Sequence, residues 1–346
     1  MTSLLLSRPL TTLTAVALPA VLTVLHRYTT MSRARLDAIR ASNADFVKGV
    51  MTPNVPVAVF VGGTSGIGQG MAEAFARWTE GRAHIVIVGR NEAKAQEIIE
   101  RFPKPTSSGA EGREWTHELV QCDASLMSNV HSASQAILAK HPKINFLAIT
   151  AGYMTTGGRE ETAEGIDKKL AVHYYGRWKF VRELEVGLRR AKEDGEEARV
   201  ISVLSPGRGL PVDLEDLGLK KTYTLRRAEG QAITFNDYMI ESFYARNPTM
   251  TFIHAWPGGV DTGLLKASPS QMLRTFATIA TPLLRPLITS KEDCAEYMWH
   301  GLFNNSTPGA LRVGKKGELI EDLQYSGDEE VAKKLWDHTE EATITD

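Results

Sequence analysis

Apolar and polar positions follow two alternating patterns along this chain. Short apolar runs, many rich in β-branched residues, recur at Val57–Val61, His84–Val88, Glu118–Gln121, Asn145–Thr150, Arg199–Leu204, Thr251–Ala255 and Ala310–Val313. Runs of this length, bounded by turn-forming residues, read as buried strands. Between them the apolar residues return every three or four positions, as Met71, Phe75 and Trp78 do. That is the spacing of one helical face. Helices are predicted over Gln69–Trp78, Glu92–Phe102, Leu126–Ala139, Leu170–Arg190 and around Phe235–Ala245. Ahead of the first strand, Ser32 caps a short helix through Ala41, and Asn43 begins a second, weaker one. Strands separated by helices predict an α/β fold, a doubly wound parallel sheet with right-handed crossovers and helices on both faces.

The pattern sets the organisation. Residues 57–318 form a single main domain, with an apolar lid at about 263–290, preceded by a helical lead-in at 31–56 and followed by a helical tail at 319–346. Residues 1–30 stand apart. Leu10 to Leu25 is mostly apolar, carries Pro19 and is followed by His26 and Arg27. It is shorter than the roughly 20 residues of a full bilayer crossing and lacks a small-residue cleavage site. Three readings stay open: a membrane anchor, a poorly ordered extension, or a helix resting on the body.

Composition narrows the partners. The 40 basic and 41 acidic residues nearly cancel, and no charge run reads as a nucleic-acid footprint. The two cysteines, Cys122 and Cys294, supply neither a disulfide framework nor a metal cluster. A reducing, cytoplasmic setting fits best, with attachment to a membrane through residues 1–30 as the alternative. No metal site is expected.

One stretch carries most of the chemistry. Val57–Val61 feeds the turn Gly62-Gly63-Thr64-Ser65-Gly66-Ile67-Gly68, and a helix follows at once. Glycines let the backbone approach a pyrophosphate, and the helix N-terminus offers unpaired N–H groups to the anion. A glycine-rich loop alone is a weak signal; between strand and helix it points to a Rossmann-like dinucleotide site.

From Val57 to Val313 the chain resembles the short-chain dehydrogenase/reductase family, especially divergent fungal members among biosynthetic reductases. Val61 to Gly68 matches the family's TGxxxGxG signature, with valine in the leading threonine place. The resemblance implies cofactor contacts from Gly62, Thr64, Ser65, Gly66, Ile67 and Gly68. Arg90 ends the second strand, where the family chooses between an adenosine 2′-hydroxyl and a 2′-phosphate. With arginine there and no acid, NADPH is favoured over NADH; the plainer alternative is a solvent-facing arginine. Asp123 matches the adenine-contacting aspartate and can also cap the following helix. Ala151-Gly152 retains half of the family's NNAG, and Pro257-Gly258-Gly259-Val260-Asp261-Thr262 matches PGxVxT, which wraps the nicotinamide end.

The catalytic pattern departs from the family's. Hydride arriving at a carbonyl leaves negative charge on oxygen, which a donor must meet. The family uses a tyrosine, a lysine four residues later, a serine and an asparagine. Ser205 fits the serine role, or is a turn residue before Pro206, and His173 falls in the asparagine slot. No Tyr-x-x-x-Lys lies between Ser205 and Pro257. Tyr223 with Arg227 one helical turn later is the nearest substitute, the two sharing a face. Counting back from Pro257 without gaps instead puts Arg227 and Gln231 in the two slots. Arginine can bind ribose hydroxyls but cannot share lysine's proton chemistry.

The expected function is NADPH-dependent reduction, or the reverse oxidation, of a carbonyl or alcohol on a small lipophilic metabolite, in secondary metabolism. Leu264, Leu265, Met272, Leu273, Phe276, Ile279, Leu283, Leu284 and Leu287 suggest the apolar lid, although burial is the usual fate of such residues. The rivals are a non-redox dehydratase, isomerase or cyclase on the same scaffold, and a catalytically silent nucleotide-binding partner protein.

Overall fold

The computed structural model describes residues 32–51, 54–105, 114–284, 288–321 and 325–345. The apolar extension at 1–30 and lid residues 285–287 lie outside that set. Seven strands form one sheet: β1 (Val57–Val61), β2 (His84–Gly89), β3 (His117–Gln121), β4 (Phe146–Ile149), β5 (Arg199–Val203), β6 (Thr251–Ala255) and β7 (Ala310–Val313). Their order is β3-β2-β1-β4-β5-β6-β7 and every pairing is parallel, with Val59 opposite Val86 on one side and Leu147 on the other. The chain winds outward from β1, returns to β4 and winds the other way. Between β1 and β4 the strand order reverses, and sheets of this kind bind ligands at the carboxyl ends beside that reversal.

Because side chains alternate across a strand, each strand feeds two cores. Val57, Val59 and Val61 face one cluster, Ala58 and Phe60 the other. The second cluster packs α1 (residues 32–50), α2 (Gly66–Trp78), α3 (Glu92–Glu100) and α9 (Lys291–Phe303). At its centre Trp299 is fully buried, stacked on Phe75 at 5.5 Å and Phe303 at 4.8 Å. Such aromatic burial stabilises by roughly 2–3 kcal/mol per ring. The first cluster packs α4 (Met127–Lys140), α5 (Lys168–Leu170), α6 (Gly176–Glu193), α7 (Leu225–Arg246) and α10 (Glu329–Ala342). α8 (Gln271–Leu284) lies in the lid segment.

Three features differ from the sequence expectation. The N-terminal lead-in is one helix running through Asn43, not two. Asn43 is no cap: its amide donates to Glu296 O at 2.9 Å and Glu296 Oε2 at 3.0 Å on α9, and this packing overrides its weak helix propensity. Second, α5 and α6 join through a π-helical turn, Ala171–Tyr175, which contains His173. Third, α10 is a full partner in the first core. Trp336 lies edge-on to Trp178 at 5.1 Å, and Tyr174 and Tyr175 hydrogen-bond Thr339 and His338 at 2.7 and 2.8 Å.

Candidate active site

The glycine turn closes on two other segments at the carboxyl end of the sheet. Gly62 and Gly66 adopt φ of +88° and +56°, which L side chains rarely tolerate. A Cβ on Gly62 would stand 2.6 Å from Ala151 N, and one on Gly66 2.9 Å from Thr262 Cβ. A Cβ on Gly68 would meet Gly62 O at 2.6 Å. The turn therefore lies against the Ala151 backbone at Gly62 and against the Thr262 side chain at Gly66. A side chain at any of these glycines would force them apart. Gly152 continues the wall, its Cβ direction meeting His173 Nε2 at 3.9 Å and Leu264 Cδ2 at 4.0 Å. The 257–262 loop is held by Thr289, which donates to Gly259 O at 2.9 Å and accepts from Asp261 N at 3.0 Å.

α2 starts at this turn with Ser65 as an N-cap whose side chain makes no cap hydrogen bond, and its first turn holds no acid. The helix dipole and its leading amides are thus free of a built-in anion, which suits a pyrophosphate. Thr64 packs its side chain over Gly89 at the end of β2. Beyond Gly89, exposed Arg90 reaches Asp123 Oδ2 at 3.8 Å, so two sequence-predicted cofactor residues stand together. Asp123 does not cap α4. It accepts from Ser125 N and Oγ at 3.0 and 2.7 Å, while the α4 amides of Met127 and Ser128 are met by Glu164 from a distant loop.

The candidate catalytic residues fall into two separate arrangements. Ser205 stands half-buried just beyond β5, and its amide donates to His254 Nε2 at 3.2 Å. His173 lies one strand over, where its Nε2 accepts from Tyr153 N at 2.9 Å. Burial, then Arg177 and Lys169, holds its pKa well below the ordinary imidazole range, so it is neutral. Asn236 donates to the His173 carbonyl at 2.7 Å, occupying an acceptor that the π-helical turn frees.

Tyr223 and Arg227 do not share a helical face. Thr224 is the N-cap of α7, accepting from Arg227 N at 3.1 Å, so Tyr223 precedes the helix. The Arg227 guanidinium binds Asp213 at 2.7 Å instead. The shared-face expectation fails because a Thr cap sits between the two residues. Tyr223 is half-buried against the first core, and burial, Asp167 and Tyr153 push its pKa up to about 12 despite Arg159.

The sequence reading missed His254, Asp237 and Arg177. His254, wholly buried on β6, places Nδ1 2.8 Å from Asp237 Oδ1. Arg177, also buried, donates to Ser202 Oγ, Val203 O and Ala151 O at 2.7, 2.9 and 2.7 Å. A signal existed in principle. A histidine inside the apolar strand TFIHA, and an Asn-Asp pair on the buried face of α7, are polar groups that require partners.

The fold and its glycine cradle define a dinucleotide-binding α/β protein. Comparison with known proteins makes this specific: the chain belongs to the short-chain dehydrogenase/reductase family. The short chain dehydrogenase family model matches residues 56–211. The chain is 30% identical over 336 residues to the oxidoreductase AN1596 of Emericella nidulans, covering 88% of this chain and 96% of that protein. It is 32% identical over 241 residues to the oxidoreductase andH of Emericella variicolor, covering 70% and 67%. Its fold matches the NADPH-bound carbonyl reductase from chicken fatty liver with a TM-score of 0.53 and 14% identity, over 78% of this chain and 99% of that one. The family's fold binds a nicotinamide cofactor and its members are oxidoreductases. Among the described residues no cluster of His, Cys, Asp or Glu is placed to hold a metal, and no helix is long and apolar enough to cross a membrane.

Proposed function

We propose that the protein is an NADPH-dependent oxidoreductase that reduces a ketone or aldehyde, or oxidises the matching alcohol, on a small lipophilic metabolite. The observation that carries this reading is the contact of Gly62 with Ala151 and of Gly66 with Thr262 at the uncapped start of α2. That cradle has the shape and polarity of a dinucleotide site, and its residues fit the group. The turn amides would take the pyrophosphate, Arg90 the 2′-phosphate and Asp123 the adenine. Ala151, Gly152 and the Pro257–Thr262 loop would flank the nicotinamide half. When bound, the nicotinamide supplies the hydride. The chain supplies the rest.

A carbonyl that accepts hydride at carbon must take a proton at oxygen. Tyr223, held protonated by its raised pKa, is the proposed donor, and the Ser205 hydroxyl is the proposed orienting group. His173, neutral and tied to Tyr153, shapes the wall at Gly152. Arg227 anchors the loop before α7 through Asp213. Leu264, Met272 and Ile279 are exposed on the lid segment, which suits an apolar substrate.

Fluorescence titration with NADPH and NADH, followed by hydride turnover on a panel of lipophilic ketones, tests the reading. Tight NADPH binding with oxidation of the nicotinamide supports it. Turnover that leaves the nicotinamide unchanged would move the protein to the non-redox class. Folded protein that binds neither cofactor ends the proposal.

A further inference from the structure

The geometry points to His254 and Asp237 as positioning residues, a buried imidazole–carboxylate pair that sets where Ser205 stands by holding the backbone of its loop from beneath. This rests on the reading of Ser205 as the carbonyl-orienting group. Neither residue is placed to touch substrate.

His254 sits on β6, between β5 and the edge strand β7, at 0% exposure, so both ring nitrogens need partners. Asp237 Oδ1 lies 2.8 Å from Nδ1. Arg312 on β7 fixes that carboxylate, with Nε 3.2 Å from Oδ1 and Nη2 3.0 Å from the Asp237 carbonyl. Burial opposes ionisation of Asp237, yet His254, Arg312 and the Gly207 amide together hold its pKa below the usual carboxylate range. An ionised acceptor at Nδ1 dictates the tautomer. Nδ1 carries the proton, and Nε2 keeps a lone pair.

That lone pair accepts from Ser205 N–H at 3.2 Å, and Asp237 Oδ2 accepts from Gly207 N–H at 3.3 Å. One pair thus pins two amides of one loop. Arg208 N donates to Ser205 O at 3.3 Å, and the Arg208 guanidinium stacks 3.4 Å over Trp256, closing the turn from outside. A hydroxyl that must meet a substrate oxygen within a few tenths of an ångström depends on such backbone anchoring.

Two conservative changes separate the two halves of the device. His254→Asn keeps a donor near Nδ1 for Asp237 but has no atom at Nε2. His254→Gln puts an acceptor near Nε2 and gives up Asp237. The full chain is assayed with NADPH and phenanthrenequinone, alongside amide hydrogen exchange at Ser205 and Gly207. His254→Asn is expected to lower kcat by about tenfold and speed exchange at Ser205, with KM and NADPH affinity within about twofold, while His254→Gln recovers most of the rate and protection. Unchanged kcat and exchange in His254→Asn, or equal damage in His254→Gln, overturns the inference. If the wild-type protein does not turn over the quinone, the proposed function fails on that probe, and exchange at the two amides still decides the positioning claim. Should His254→Asn not fold, Asp237→Asn removes the charge that fixes the tautomer and carries the same readouts.

Discussion

The Arg177 guanidinium donates to the Ala151 carbonyl across 2.7 Å, from a position 2% exposed, and its other bonds go to the neutral oxygens of Ser202 and Val203. A buried cation bonded only to neutral acceptors is costly, and burial draws its pKa down to about 9. At neutral pH it remains charged. It ties α6 to the carboxyl ends of β4 and β5 and places fixed positive charge behind the site. After burial itself, Arg177 is among the causes that keep His173 and His254 neutral.

Replacing Arg177 with Met should therefore have two effects. Three oxygens lose their donor, an expected cost of about 2 kcal/mol net once relief of the buried charge is counted. The pKa values of His173 and His254 should rise. Urea midpoints and NMR titration of the imidazoles check both. A variant as stable as wild type, with unmoved imidazoles, would remove Arg177 from the electrostatics of the site.

On the proposed reading, Arg90 governs the choice between cofactors. It is exposed, and its only described ion pair is a long one to Asp123, so its guanidinium can turn to a 2′-phosphate at little cost. Arg90→Ala should weaken NADPH by about tenfold or more and leave NADH within about twofold. Equal loss for both in paired titrations would sink the 2′-phosphate role.

Acid should destabilise the protein before its carboxylates protonate. Burial, with help from His141 and His117, lowers the His84 pKa from 6.5 to about 4. The unfolded chain therefore binds more protons between those values. Stability from this group is complete above 6.5 and is lost as pH falls towards 4. His117, His173, His254, His300 and His338 shift the same way. Urea midpoints should drop between about pH 7 and pH 5, and His84→Gln should flatten that slope.

What the sequence revealed was local, and what it concealed was long-range. The Gly62–Gly68 turn was legible because strand, glycines and helix start within a dozen positions, each with its own physical reason. The five inner strands were legible because burial on both faces demands apolar runs, while the edge strands β3 and β7 are only partly buried and were legible from their spacing between helices. The continuity of α1 through Asn43 was not, since it depends on Glu296 far along the chain. Arg227 pairs with Asp213 across a loop that periodicity cannot place. Asp237, His254 and Arg312 come from α7, β6 and β7, and only the folded sheet brings them together. Spacing gave Tyr223 and Arg227 a common face; the Thr224 cap removed it.

Tyr223 is the sharpest test of the proposed chemistry. Its phenol is pushed up to about 12 by burial, Asp167 and Tyr153, against a smaller opposing effect of Arg159. A phenol in that state stays protonated and can hydrogen-bond a carbonyl oxygen; as a weaker acid than free tyrosine it gives its proton only to the far more basic alkoxide that hydride transfer creates. Tyr223→Phe should lower the single-turnover rate by about a hundredfold or more while sparing NADPH affinity. Arg227→Ala should behave differently, because its partly exposed pair with Asp213 is a loop contact worth at most about 1 kcal/mol. Its turnover should stay within about twofold of wild type, with only a small loss in urea midpoint. If Arg227→Ala slows hydride transfer as much as Tyr223→Phe, the two side chains act together after all. In that case the Asp213 pair must open when cofactor binds, freeing the guanidinium to reach the phenol.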